Sequence, residues 1–509
     1  MLAIVRTFAL LGVEARDVRV EVDVRSGLPA FSIVGLPDAA VRESRERVRA
    51  ALGNSGFKFP QERITVSLAP ANLPKAGAGF DLAIAAGVLL ASGQLGGEAF
   101  GQLALAGELA LDGSVRSIVG ALPMALRART AGVDAIGLPR ANAAEAALAA
   151  ALTGNGAGAN AGPAVLGLEW LAELSSLGGE DSPAPTPVPD LGDAGPAGPD
   201  LSELRGQAGL RRALEVAAAG GHSLLMLGPP GVGKSMAARR LPSILPPLET
   251  SEAIEALSVA SACGSVPRLA AARVRPFRAP HHTISSAGLV GGGSPPRPGE
   301  LSRAHRGLLF LDELPEFSRD ALEALRQPLE DGRIVVARAR HTVSLPCRAM
   351  VVAAANPCPC GRPEGDAECE CAPAAVRRYR SRISGPLADR IDMSVEVGQP
   401  TSAALAAGPG ERSGVVRTRV LAARGRQAAR LGAGRCNAEA TVEEIRRDVT
   451  LDSGAQGILA QGRARLGLSG RGYDRVLRLA RTIADLAGSE RVGGEHVAEA
   501  LTLRSRPHE

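Results

Sequence analysis

A chain of 509 residues is too long for one ordinary core, so two or three domains are expected. It is 45% hydrophobic and 22% charged, and no apolar run approaches the roughly 20 residues a bilayer span needs, which argues against a membrane protein and for a globular one of the cytoplasm. A net charge of +5 permits a nucleic-acid partner without demanding one; with aromatics at 2%, any DNA contact should run through phosphates rather than base stacking.

The opening MLAIVRTFALLGVEARDV is interrupted by Arg6 and lacks a small-residue cleavage site, so it reads as a strand and not as a signal peptide. Asp38 is placed to cap a helix running from Ala39 to about Leu52. Mixed strands and helices continue to residue 178. Residues 179–200, GEDSPAPTPVPDLGDAGPAGPD, have the composition of an extended, mobile linker. A core at 201–398 and a helical lid at 399–509 complete the expected organisation.

The core opens on HSLLMLGPPGVGKSMAARRL, in which the apolar strand Leu224 to Leu227 runs into Gly228, Pro229, Pro230, Gly231, Val232, Gly233, Lys234 and Ser235 and on into a helix. This is the phosphate-binding pattern G-x-x-x-x-G-K-[ST] in its strand, loop, helix setting. The glycines turn backbone N–H groups inward, Lys234 is placed to reach the β and γ phosphates, and Ser235 to hold Mg²⁺. ATP and Mg²⁺ are therefore the expected ligands. Such a site needs an acidic strand end beside it, and RGLLFLDELPEF supplies one: Leu308 to Leu311 deliver Asp312 to the metal and Glu313 to the attacking water. A third strand, Ala349 to Ala355, ends in Asn356, a polar group able to orient that water, although one Asn taken alone reads better as a plain turn residue.

His281 and His282 in FRAPHHT are poor co-ligands if they lie on a strand, where neighbours point to opposite faces. They read instead as part of a loop coupling nucleotide state to substrate, made deformable by Gly291, Gly292 and Gly293. Cys358, Cys360, Cys369 and Cys371 form C-x-C-x8-C-x-C, two close pairs able to give structural zinc four thiolates. An unmetallated or redox-sensitive loop and an iron–sulfur cluster are the alternatives. Cys263, Cys347 and Cys436 are isolated packing residues. In the lid, Val476, Leu477, Ala480, Ile483, Ala484 and Leu486 form one helical apolar face, with Arg475, Arg478 and Asp485 expected outward.

GPPGVGKS, LLFLDELPEF, VVAAANPCPCG, ISGPLADRIDM and SGRGYDRVLRLARTIADL occur in the order seen in magnesium-chelatase-like AAA+ ATPases. Together with RPFRAPHHTISSAGLVGGGSPPRPGELSRAHRG they identify the chain as resembling the ComM/YifB family, bacterial ATPases linked to natural transformation and DNA branch migration. The resemblance implies that Arg390 is a finger reaching a neighbour's γ-phosphate and that Arg471 is a lid arginine sensing nucleotide. It further implies a homo-hexameric ring acting on single-stranded or branched DNA. ITVSLAPANLPKAGAGFDLAIAAGVLLASG and GELALDGSVRSIVGALPMALRARTAG resemble the Lon proteolytic domain, with Gly79 and Leu122 at the positions of its serine and lysine. Neither can act as nucleophile or base, so the fold is expected without proteolysis, and Lys75 and Asp81 are expected to be structural.

The expected fold class is thus α/β: a Lon-protease-like α+β domain, a phosphate-loop AAA+ core and a helical lid. Three rivals to a DNA motor remain at the level of sequence. A magnesium-chelatase ATPase subunit for porphyrin metallation shares the core, but the N-terminal domain and cysteine loop are extra to it. A Lon-type protease lacks its dyad here. A non-motor DNA-binding scaffold has no need of Lys234, Asp312 and Glu313 together.

Overall fold

The computed structural model of the chain describes residues 1–152, 162–192, 195–293, 296–337, 342–362, 368–383, 390–406 and 408–504. Residues 193–194 of the predicted linker, 363–367 of the cysteine loop and most of the ISGPLADRIDM stretch lie outside them. Among the described residues no helix is long and apolar enough to cross a membrane.

The N-terminal sheet has seven strands in the order Ala30–Val34, Arg63–Ala69, Glu14–Arg25, Leu2–Leu11, Leu103–Leu105, Ala135–Pro139 and Ala164–Leu168. The opening segment is a strand, as its pattern requires, and pairs antiparallel with Glu14–Arg25 through a two-residue turn at Gly12, whose φ is +68°. In Glu14–Arg25, Val18, Val20, Val22 and Val24 are buried in alternation with Arg19, Glu21 and Asp23, so this strand has one apolar face, whereas Leu103–Leu105, Ala135–Pro139 and Ala164–Leu168 are buried almost throughout. The wholly buried helix Asp81–Ala91 packs on Leu2–Leu11 and Glu14–Arg25. Asp38 caps helix Ala39–Asn54 by accepting from the Val41 N–H at 2.8 Å. Asp81 and Lys75 are buried and occupied: Asp81 by Arg47 at 2.6 Å and by Ser44, Lys75 by the Pro70 carbonyl. Burial lowers the Lys75 pKa.

The proline-rich segment is extended, but it is tethered. The Thr186 N–H donates to the Val165 carbonyl at 2.7 Å, Leu191 is buried, and the Asp200 carboxylate accepts from Ser202 and Ser413. The first domain also touches the core directly, through the Gly120 N–H to the Ser261 carbonyl at 3.0 Å.

The core sheet runs Phe277–Arg278, Leu308–Leu311, Met350–Ala355, Leu224–Leu227, Met393–Glu396, every pair parallel. The three central strands are apolar and almost wholly buried, the signature of a parallel sheet covered on both faces. Their carboxyl ends therefore lie side by side, where ligands of open α/β sheets bind.

The lid is helical: Ser413–Leu431, Val442–Asp448, Ser453–Leu466, Gly470–Ala487 and Gly494–Arg504. Val476, Leu477, Ala480, Ile483 and Ala484 face its core as expected. Asp485 does not point outward. It is fully buried and takes two bonds from Arg430 at 2.7 and 2.9 Å, one from Asn437 at 2.9 Å and one from Arg481 at 3.2 Å. Those donors offset the burial of its charge. Asp485→Ala should leave the buried Arg481 and the part-buried Arg430 short of their counter-charge and cost about 3–5 kcal/mol, read as a lowered urea midpoint of the lid by circular dichroism.

Candidate nucleotide site

The phosphate loop is fixed at both ends by main-chain approach. The Gly228 N–H donates to the Ala355 carbonyl at 3.2 Å, and a Cβ at Gly228 would stand 2.2 Å from the Val397 carbonyl oxygen. At the other end Gly233, with φ +97°, opens helix Lys234–Ile244. The N–H groups of that first helical turn have no carbonyl four residues back, so they and the helix dipole face the loop.

Lys234 is almost wholly buried, and its Nζ donates to the carbonyls of Gly228 at 2.5 Å and Pro229 at 2.8 Å and to Asn356 Oδ1 at 3.0 Å. Burial lowers its pKa; Asp312 and Glu313 oppose that. Ser235 Oγ donates to Asp312 Oδ2 at 2.7 Å, and the other Asp312 oxygen accepts the Glu313 N–H at 3.0 Å. The predicted loop residues, Asp312, Glu313 and Asn356 are thus assembled at adjacent strand ends.

These groups fit a magnesium nucleotide. A hydroxyl and a carboxylate lie together as hard oxygen donors, and a buried ammonium rests on carbonyls that phosphate oxygens can replace.

Two partners were not legible in sequence. Glu313 adopts a left-handed backbone, φ +52° and ψ +49°, and its exposed carboxylate meets His282 Nδ1 at 3.2 Å. The expectation that His281 and His282 face apart is corrected: they sit in a turn, outside any strand, and their rings approach to 4.1 Å. Tyr379, on helix Pro373–Ile383, faces the backbone amide of Asn356, and burial pushes its phenol up to about 12.

Arg390 and Arg471 are brought together, but away from this loop. Both meet Glu330 Oε1, Arg390 at 2.8 Å and Arg471 at 3.2 Å, and Arg390 Nε also donates to the Arg326 carbonyl at 3.1 Å. Arg390 lies three residues before Met393, which pairs with Leu224, the first residue of the loop strand. It therefore stands at the opposite end of the strands, in a cleft of about 750 Å³ that Arg275, Arg306, Arg475 and Glu330 also line.

The four clustered cysteines converge as well, with all four sulfurs within 4.8 Å of one another. Burial lifts the Cys358 thiol to about 12, while the Arg362 backbone N–H lowers Cys360 to about 7. The isolated Cys347 and Cys436 are buried packing residues, and Cys263 is half-buried.

Comparison with known families gives three matches in chain order. Residues 20–142 match the family described as subunit ChlI of Mg-chelatase, 200–405 magnesium chelatase, subunit ChlI, and 410–504 the ChlI C-terminal region. The chain is 43% identical to competence protein ComM of Haemophilus influenzae over 99% of its own length and 97% of that protein. It is 42% identical to YifB of Salmonella typhimurium over 99% and 97%, and 42% identical to YifB of Escherichia coli over the same shares. The chain belongs to the magnesium-chelatase-like ComM/YifB family.

Membership also amends one sequence argument. The ChlI match at residues 20–142 falls inside the N-terminal domain, so that domain does not by itself set ComM/YifB proteins apart from chelatase subunits.

Proposed function

We propose that this protein is an ATP-driven ring motor of the cytoplasm that remodels branched or invading DNA, as a branch-migration helicase in natural transformation. The observation that carries the ATPase half is the assembly of Lys234, Ser235, Asp312, Glu313 and Asn356 at neighbouring strand ends. The Haemophilus relative is named a competence protein, and this supports the DNA half.

ATP supplies the phosphoanhydride to be cleaved; Ser235 and Asp312 would hold a Mg²⁺ ion, which would supply positive charge against the charge that develops. Lys234 exchanges its carbonyl partners for the β and γ oxygens. Glu313 takes the proton from the attacking water, and Asn356 orients that water. Arg390 reaches the γ-phosphate of a neighbouring subunit in a homo-hexamer, and Arg471 senses nucleotide from the lid. The segment carrying His282 and the Gly291–Gly292 strand moves with Glu313, and a structural Zn²⁺ sits in the cysteine cluster. The N-terminal domain is read as Lon-like without proteolysis: Gly79 lies in the turn Ala78–Phe80 and Leu122 is buried in helix Ala121–Thr130.

Steady-state ATP turnover with and without a four-way DNA junction tests this reading. Stimulation by the junction, lost in Lys234→Ala together with nucleotide binding, is the expected result. Indifference to every DNA combined with stimulation by a porphyrin-pathway partner would transfer the protein to the chelatase reading, which its three ChlI matches favour.

A further inference from the structure

The cysteine cluster has the dimensions of one tetrahedral site. Cys358 lies 3.5 Å from Cys369 and 3.5 Å from Cys360, and Cys360 lies 3.6 Å from Cys369. Four thiolates about 2.3 Å from one zinc ion stand about 3.8 Å apart. A disulfide would instead join two sulfurs at about 2 Å and leave the other pair aside. Sulfurs this close together leave no room for the several iron and sulfide ions of a cubane cluster.

The position of the site is as informative as its geometry. Cys358 follows Asn356 by two residues, and Asn356 holds Lys234. The Gly361 N–H closes the knuckle on the Cys358 carbonyl at 2.8 Å. Gly361, with φ +83°, is pressed against the phosphate loop: a Cβ there would stand 2.6 Å from Cγ of Pro230. On the far side, Cys371 precedes helix Pro373–Ile383 by two residues. That helix packs on the turn Leu314–Glu316 directly after Glu313, with Arg382 Nη1 donating to the Pro315 carbonyl at 2.9 Å. It also carries Tyr379 to the Asn356 amide. An ion held by both cysteine pairs would close a short loop joining the Asn356 strand end, the phosphate loop and the turn after the acidic pair.

We propose that Cys358, Cys360, Cys369 and Cys371 bind one zinc ion whose knuckle braces the phosphate loop, so that nucleotide affinity depends on the metal. This rests on the nucleotide-binding reading of the loop. The ion touches no reacting atom; Gly361 and Asn356 act as positioning residues through Pro230 and Lys234.

The test uses the purified full-length protein, zinc measured by mass spectrometry and a fluorescent ATP analogue titrated at equilibrium. About one zinc per chain is expected. Stripping with a chelator should weaken analogue binding by about tenfold, equivalent to about 1.4 kcal/mol, and added zinc should restore it. Gly361→Ala should keep the zinc and still weaken binding, because its methyl displaces Pro230; this separates the brace from the ligands even if Cys369→Ser with Cys371→Ser fails to fold. Wild-type protein without metal overturns the zinc site. Full zinc with affinity unchanged by both chelation and Gly361→Ala overturns the brace. Full zinc with no nucleotide binding at all overturns the nucleotide reading, and the brace with it, while the metal site stands.

Discussion

Glu313→Gln is expected to bind ATP about as well as the wild type and to turn it over at least about 100-fold more slowly, the usual loss when a general base is removed. The amide keeps the shape of the carboxylate but cannot accept the proton from water. The geometry adds a companion expectation. Glu313 is turned towards His282 at 3.2 Å, on a backbone held at φ +52°. His282 belongs to the segment between the core strands Phe277–Arg278 and Leu308–Leu311, so the proposed coupling would run from that segment to Glu313 through this contact. His282→Ala should leave ATP binding intact while weakening the dependence of turnover on DNA, measured as the ratio of stimulated to basal hydrolysis. Normal turnover in Glu313→Gln would take that residue out of the base role.

What could be read from sequence divides along a physical line. Leu224–Leu227 and Leu308–Leu311 were legible because a short apolar run ending in glycine or acid fixes both the strand and its functional end locally. Asn356 gained its meaning from being the next residue on the strand between them. The pairing of His282 with Glu313 was not legible, since it joins segments whose approach only the folded core decides. Asp485 failed for a related reason. On a helix an acid beside an apolar stripe reads as solvent-facing, and two of the donors that make its burial tolerable, Arg430 on helix Ser413–Leu431 and Asn437, come from outside its own helix. The proline-rich segment showed its extended form through composition, whereas its tether at Thr186 depends on an edge strand, Ala164–Leu168, that composition does not reveal.

Arg390→Ala should retain ATP binding and lose turnover by about 1,000-fold, the lower end of what an arginine finger contributes. On the proposed finger reading, register requires this arginine to act between subunits. Met393 pairs with Leu224, whereas the phosphate loop begins after Leu227, at the other end of a strand about 10 Å long. Arg390 lies before Met393, is anchored on Glu330, and opens into an arginine-lined cleft. Its own loop is at the far ends of the strands. A head-to-tail ring would set this end against the loop end of the next subunit. Mixing separates that arrangement from a merely structural role: Arg390→Ala subunits have an intact loop and Lys234→Ala subunits an intact finger, and each alone should be inactive. Randomly mixed in equal parts, about a quarter of their junctions join a working loop to a working finger, and about that share of wild-type hydrolysis should return. A mixture no more active than its components would confine Arg390 to bracing Glu330 within its own subunit.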